Sequence, residues 1–475
     1  MNTQDLMELS RRGSGTLASQ STEDGRAIET VESELRAYLG TLPNRMDTQD
    51  KLKHEIVNWV QNTRPNVAGY TNAALIDRLT DAVCNYGILT YAMEDPGVFE
   101  IRCNGRELLV EKDGRVRPYT DQSGKRLFFQ TVEEQEVIMR KLLGDVRLTP
   151  KDQLVSGRTI EGYRIAANHY TAMSEDPDNP TAPKFNSFVL RKFQKSKMTV
   201  DDIVKKGTMT EEMGALLKLL TKGGLTFLTV GPTASGKTTT NNAILKSVPP
   251  TTRTVLVQNP SEIDIRLKDA SGMVINDALH LEAHEAENPL STTATMENVM
   301  NQVLRLSPTF VCFGEIRTDG EFQQAMKIMQ AGHPINATFH AKSVEGAVWR
   351  FVVAYMSASG NNNVALALQQ ICSLVQIVIV QKIMRDGTRK IIEIGEIVGS
   401  QGEKPLINLL YKFETHSRQN EYNDKGEVTK IAGEHKRVGN LSPSTIDVLK
   451  LEGVSYDEYS IFEAPEGAKN GGETA

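Results

Sequence analysis

The octapeptide GPTASGKT, Gly231 to Thr238, has the spacing of a phosphate-binding P-loop. It follows the apolar run LTFLTV, Leu225 to Val230, and a helical run opens behind it, so strand, loop and helix stand in the order such a loop requires. Gly231 and Gly236 let the backbone approach a phosphate and turn its N–H groups inward, and Pro232, Thr233, Ala234 and Ser235 complete the cradle. Lys237 brings a point charge to the outer phosphates. The Thr238 hydroxyl can ligate Mg2+, and the helix N-terminus adds its own positive end. The ligands expected from these residues are ATP and Mg2+.

A phosphate cradle by itself only binds; hydrolysis also needs carboxylates that hold Mg2+ and orient water. TVLVQNPSE, Thr254 to Glu262, reads as a strand entering a turn that offers Glu262. TFVCFGEIR, Thr309 to Arg317, is a second buried strand that delivers Glu315 at its C-terminal edge, where open α/β sheets bind ligands. INATFHA, Ile335 to Ala341, is a third strand, ending in His340, with His333 just ahead of it. Taken singly, each has a structural reading: apolar strands often end in an acid, and a lone histidine is usually a satisfied structural residue. Beside a P-loop they become a set. Lys237, Glu262, Glu315 and His340 are the catalytic candidates, with Thr238 and Glu315 as metal ligands and His340 facing the γ-phosphate.

Strands and helices alternate from about residue 211 to 400, the pattern of a parallel α/β domain. Thr210 is placed to cap its first helix, which carries Met213, Leu216, Leu217 and Leu220. Upstream, residues 194–210 read as a linker and 97–193 as an α+β domain. That domain holds short strands such as VFEIRC (Val98 to Cys103) and ELLVEK (Glu107 to Lys112), joined through an Asn104-Gly105 hairpin turn. It also holds a helix opened by Thr131 and Glu134 and closed by Gly144. SEDPDNPTAP, Ser174 to Pro183, is a loop by composition. Residues 49–96 have helical periodicity, 1–48 form a polar tail expected to be disordered, and 401–475 read as a polar C-terminal extension with a frayed end, EGAKNGGETA.

The chain has 475 residues, 39% hydrophobic and 24% charged, with a net charge of −6, ordinary for a soluble globular protein and unlike the basic footprint of a nucleic-acid binder. Its four cysteines include no C-x-x-C pair, which argues against a zinc ribbon. The N-terminal residues lack the apolar core of a signal peptide, and no run is apolar enough to predict a membrane span. A cytoplasmic protein that meets a membrane only from the side is expected.

The motifs together resemble the secretion and traffic ATPases, which drive type II secretion, type IV pili and conjugation-type (type IV) secretion. GPTASGKT, QNPSE, LRLSPTFVCFGEIR and GHPINATFH stand in that family's order as P-loop, Asp box, Walker B and His box. YGILTYAMEDPGVFEIRCNG, LRKF and VQKIMRDGTRKIIEIGEIVG are similar to the branch serving tight-adherence pili and conjugation, so the likeness covers roughly residues 50–460. It implies a RecA-like P-loop domain behind an N-terminal α+β domain, a homohexamer, and location at the inner membrane against platform or channel proteins. It implies that Glu262 and Glu315 are the acidic pair and that Arg164, and as a second candidate Arg191, offers an arginine to the nucleotide; both also read as solvated strand arginines. One departure stands out. The Asp box opens with Gln258-Asn259 where the family has Glu-Asp, so slow turnover is an open outcome. The expected function is ATP hydrolysis powering a secretion or pilus machine. The rivals are an ATP-binding scaffold and a RecA-like nucleic-acid motor, the latter disfavoured by the acidic balance.

Overall fold

The computed structural model describes residues 27–41, 49–67, 69–112, 115–121, 123–144, 146–174, 179, 183–192, 198–259, 262–283, 294–360 and 362–464. The expected tail up to residue 26, most of the 174–183 loop, residues 193–197 of the linker and the terminal EGAKNGGETA lie outside them. The chain divides into two units, Met1–Gln194 and Lys195–Ala475.

The first unit opens with helices α1 (Ile28–Thr41), α2 (Gln49–Thr63) and α3 (Asn72–Cys84). Val31, Leu35 and Leu39 of α1 bury against Leu52, Ile56 and Val60 of α2 and Leu75, Leu79 and Val83 of α3. The helical section therefore starts at Ile28, not at residue 49. The apolar stripe of α1 is only one residue wide per turn and sits among charges, which made the segment read as a polar tail.

A short helix α4 (Thr90–Glu94) leads into six strands: β1 (Val98–Asn104), β2 (Glu107–Lys112), β3 (Arg115–Pro118), β4 (Leu154–Arg158), β5 (Arg164–Asn168) and β6 (Ser187–Arg191). They form one antiparallel sheet in the order β3-β2-β1-β6-β5-β4. Helix α5 (Val132–Leu143) buries Ile138, Met139, Leu142 and Leu143 in the same core as Ile101, Cys103, Leu108, Phe188 and Leu190. Thr131 caps it by accepting the Glu134 N–H, and Gly144 ends it at φ +61°. The Glu134 carboxylate reaches the Gln130 N–H rather than the cap residue itself.

The second unit begins inside the expected linker. Helix α6 (Val200–Lys205) is opened by a reciprocal Thr199–Asp202 capping box, and α7 (Glu211–Lys222) is capped by Thr210 as its sequence indicates. Then come β7 (Phe227–Val230), α8 (Lys237–Leu245), β8 (Thr254–Gln258), β9 (Ala278–Glu282), α9 (Met296–Val303), β10 (Phe310–Phe313), α10 (Asp319–Gln330), β11 (Ile335–Phe339), α11 (Val344–Ser359), α12 (Val364–Leu374) and β12 (Ile377–Ile383). Strands β7, β8, β10 and β11 are buried at every position. Alternate residues face two cores: Val255, Val257, Val311, Phe313, Ala337 and Phe339 on one side, Leu256, Phe310, Cys312, Phe227 and Ile377 on the other. Burial on both faces is what removes alternation from parallel strands and leaves continuous apolar runs.

The sheet does not stop near residue 400. β13 (Arg389–Gln401), β14 (Lys404–Thr415) and β17 (Gly433–Arg437) continue it antiparallel from β12, giving the order β17-β14-β13-β12-β7-β11-β10-β8-β9. The expected boundary at 400 falls in the β13–β14 hairpin. β14 and β17 leave most of their positions exposed or half-buried, and this polar character concealed membership of the sheet, although Ile394 and Ile397 of β13 reach the two cores on its opposite faces. Strands β15 (Glu421–Tyr422) and β16 (Val428–Lys430) pair separately. Helices α13 (Pro443–Leu451) and α14 (Tyr456–Tyr459) return to the core, where Ile446, Leu449 and Tyr459 meet Leu216, Leu217 and Leu220 of α7.

Candidate functional site

The P-loop leaves β7 at Gly231 and enters α8 at Lys237, at the C-terminal edge of the parallel strands. Two glycines are needed there. A Cβ on Gly231 (φ +153°) would lie 1.9 Å from the Gln381 carbonyl oxygen, and one on Gly236 (φ +93°) 2.9 Å from Arg389 Cδ and 3.0 Å from Gln381 Nε2. Lys237 is buried, and its ammonium donates to the carbonyls of Gly231 and Pro232, both at 2.9 Å. The Ser235 hydroxyl is also buried and has no hydrogen-bond partner among the described residues.

A buried polar chain fixes the helix behind the loop. The Thr229 hydroxyl of β7 donates to Asn241 Oδ1 (2.6 Å), Asn241 Nδ2 donates to Asn336 Oδ1 (2.8 Å), and Asn336 Nδ2 donates to the Phe227 carbonyl (3.2 Å). Helix α8 is thereby tied to β7 and β11 through groups that cannot be removed singly without leaving a buried partner unsatisfied.

Glu315 and His340 meet beside this loop. His340 Nε2 stands 3.2 Å from Glu315 Oε1, and its Nδ1 is 3.1 Å from the Gly231 carbonyl. The other Glu315 oxygen, Oε2, accepts from Arg317 Nε at 2.7 Å. The carboxylate is therefore held on both oxygens, by an imidazole and a guanidinium. The turn that presents it is joined to β11: the Thr338 hydroxyl donates to the Gly314 carbonyl (2.6 Å) and the Ile316 N–H to the Thr338 carbonyl (2.8 Å). His333 precedes β11 and so lies at the opposite end of that strand from His340.

Glu262 sits on the turn after β8, and its N–H donates to Gln258 Oε1 at 2.9 Å. Gln258 is fully buried; the same oxygen accepts from the Ile263 N–H, and Nε2 donates to the Ile263 carbonyl, each at 2.9 Å. Its side chain closes the turn that carries Glu262. Two residues on, the Asp264 N–H donates to Asn242 Oδ1 of α8 (3.3 Å), which fastens this turn to the P-loop helix. Gly314 is pressed against Gln258: a Cβ there would be 2.8 Å from Gln258 Cβ. Gln258 thus links the turn of Glu262 to the strand end of Glu315. Nearby on β9, burial and Arg266 push the His280 imidazole down to about 4 against the pull of Asp264.

Arg164 and Arg191 belong to the first unit and are direct cross-strand neighbours on β5 and β6. Arg158 pairs with Arg164 on the far side, and Glu100 with Arg191 on the near side. The row offers three adjacent arginines on one face of that sheet, with Arg191 Nε 3.8 Å from Glu100 Oε2.

Sequence reasoning assigned no role to Gln381, Arg389 or Arg317. Gln381 and Arg389 come from β12 and β13, and Arg389 Nε donates to the Ala234 carbonyl at 3.2 Å. Nothing local marks them; only the pairing of β12 beside β7 brings them to the loop. Arg317 closes the TFVCFGEIR run, and its spacing of two from Glu315 is the signal available in the sequence.

No described helix is long and apolar enough to cross a membrane. Comparison with known proteins gives consistent matches. An uncharacterized protein of Methanocaldococcus jannaschii is 30% identical over 217 residues, 45% of this chain and 36% of that protein. The probable conjugal transfer protein TrbB of Sinorhizobium fredii is 29% identical over 168 residues, 34% of this chain and 47% of its own length. Protein VirB11 of Agrobacterium fabrum is 25% identical over 208 residues, 43% of this chain and 57% of its own length. The chain thus spans between about a third and three fifths of these relatives. Residues 129–438, well over half of the sequence and including every motif from the P-loop to the His box, match the family described as Type II/IV secretion system protein. The chain, with a P-loop α/β unit that follows an N-terminal α+β unit in sequence, belongs to the type II/IV secretion system protein family.

Proposed function

We propose that this protein binds ATP on the Gly231–Thr238 loop and hydrolyses it to drive a secretion or pilus machine. The observation that carries the reading is the convergence of Lys237, Glu315 and His340 on one strand edge, with His340 touching both Glu315 and the loop carbonyl of Gly231. The residues fit the ligand. Gly231 and Gly236 stand where a Cβ would collide with Gln381 and Arg389, so the loop takes its phosphate-cradling shape only with glycine there, and Ser235 carries a buried hydroxyl with no partner among the described residues. Thr238 and Glu315 would hold Mg2+, which neutralises charge on the phosphates when bound.

In this reading Lys237 stabilises the charge that builds on the outer phosphates. Glu315, clamped by Arg317 and His340, orients the attacking water, with Glu262 as the second acid. His340 senses the γ-phosphate through its contacts to Glu315 and the loop. Arg164 and Arg191 supply a cationic row suited to a phosphate. The assembly is a homohexamer, cytoplasmic and peripheral to the inner membrane, working on platform or channel proteins. The likeness to conjugal transfer proteins TrbB supports the conjugation-type machine over a pilus machine.

A second reading has one observation behind it. Gln258 spends its carboxamide on closing a turn, so the Asp box keeps only the later Glu262. An ATP-binding scaffold with little turnover would look the same. Steady-state ATPase assays on the purified chain, with Lys237→Ala and Glu315→Gln alongside and sizes from light scattering, separate the two. Mg2+-dependent turnover in a hexamer, lost in both variants, is expected. ATP binding without turnover would replace the motor with the scaffold.

A further inference from the structure

Gln381 lies on β12 and is 1% exposed. Its carbonyl oxygen sits 1.9 Å from where a Cβ of Gly231 would be, and its Nε2 3.0 Å from where a Cβ of Gly236 would be. One residue therefore lies against both glycines of the P-loop, at its first and sixth positions. Its Oε1 is buried and has no hydrogen-bond partner among the described residues. Ser235, between those glycines, is also 1% exposed and its Oγ is likewise without a partner. The two are close together: the Ser235 hydroxyl is 3.0 Å from the same Gly231 Cβ position that touches the Gln381 carbonyl.

An unsatisfied buried polar atom destabilises a fold, and native proteins carry few of them. Two such atoms against one phosphate-type loop are poorly explained by packing, because a methionine in place of Gln381 and an alanine in place of Ser235 would remove both deficits. They are explained if the acceptor and the hydroxyl are spent on a ligand. We propose that Gln381 is a positioning residue of the nucleotide site. Its main chain and carboxamide set the shape of the loop from β12, and its Oε1 accepts from a nucleotide hydroxyl or an ordered water beside the phosphates while Ser235 donates to them. The inference rests on the reading of this loop as an ATP site. It gives β12 a part in ligand affinity as well as in the sheet.

The test compares the full chain with Gln381→Met, which keeps side-chain volume and removes both polar atoms. Two quantities are read: the melting temperature without nucleotide, and the Kd for ATP with Mg2+ by calorimetry. The expected result is an unchanged or higher melting temperature with Kd raised about tenfold, the effect of one lost hydrogen bond. A Kd changed less than about threefold overturns the proposal. So does a weaker Kd accompanied by a lower melting temperature, because a packing role predicts both. Should the methionine variant not fold, Gln381→Leu, which also removes both polar atoms, is judged by the same two readings. If the wild-type chain itself does not bind ATP, the nucleotide reading fails and this one with it; wild-type binding beside an unaffected variant overturns this one alone.

Discussion

Restoring the family's glutamate at the head of the Asp box should damage this protein, and the damage should depend on pH. Gln258→Glu keeps the two bonds that Oε1 accepts from Glu262 and Ile263, but a carboxylate cannot donate to the Ile263 carbonyl, which lies 2.9 Å from Nε2. The orphaned carbonyl alone costs about 1–3 kcal/mol. Burying the charge adds to this, because the side chain is 1% exposed. There is a ceiling: a protonated glutamate recovers the donor, so the loss cannot exceed the cost of protonation. From an unfolded value near 4.3 that ceiling is about 5 kcal/mol at pH 8 and about 1 kcal/mol at pH 5. The folded pKa is raised, so the penalty is small near pH 5 and grows as pH rises until that pKa is passed. We expect about 2–4 kcal/mol at pH 8 and under about 1 kcal/mol at pH 5, from urea denaturation of both proteins at each pH. Equal losses at the two pH values would refute the reasoning, as would a stable variant at pH 8.

Other substitutions probe the same edge. Gly314→Ala should cost about 1–3 kcal/mol and lower ATPase activity, because its Cβ would meet Gln258 Cβ at 2.8 Å and displace the turn of Glu315; denaturation and turnover read both. Asn241→Leu should lose about 2–4 kcal/mol by stranding the Thr229 hydroxyl and the Asn336 amide, measured as a shift in urea midpoint. His280, held near 4 in the fold against about 6.5 unfolded, makes the folded state weaker as pH falls from about 6.5 to 4, since the unfolded chain takes the proton first. His280→Leu should flatten that part of the stability–pH curve, removing a slope worth about 3 kcal/mol in total.

The parallel core was the most legible part of the chain. Its strands are buried on both faces, so Leu225–Val230, Thr309–Phe313 and Ile335–Phe339 stand out as apolar runs, each closed by a residue able to do chemistry. Lys237, Glu315 and His340 could be placed on one edge because a parallel sheet puts every strand's C-terminal end there. The structure brings these three together. The half-buried elements were harder: α1 hides its stripe among charges, and β14 alternates like a surface strand although it continues the sheet. Gln258 could be seen as a departure from the family but not as the closure of a turn, because the bonds that close it run to backbone groups of Glu262 and Ile263, which have no sequence signature. Gln381 and Arg389 were out of reach for a different reason. Their approach to the loop depends on which strand sits beside β7, and spacing along the chain carries no information about that.

The strand order sets a timetable for synthesis. β7 carries the P-loop, yet both its neighbours, β11 and β12, are made much later; the Thr226 N–H at its root bonds to Gln376, 150 positions downstream. A nascent chain emerging from the ribosome therefore displays the GPTASGKT loop long before either flanking strand exists. Loop closure over such a distance is slow and entropically costly. Until β11 and then β12 are released the chain exposes a highly apolar β7 with at least one edge unpaired, and competence to hold a nucleotide arrives as one of the last events of this unit's folding. Fragments ending before residue 377 should accordingly be aggregation-prone, and chaperone demand should peak while β7 waits for its partners.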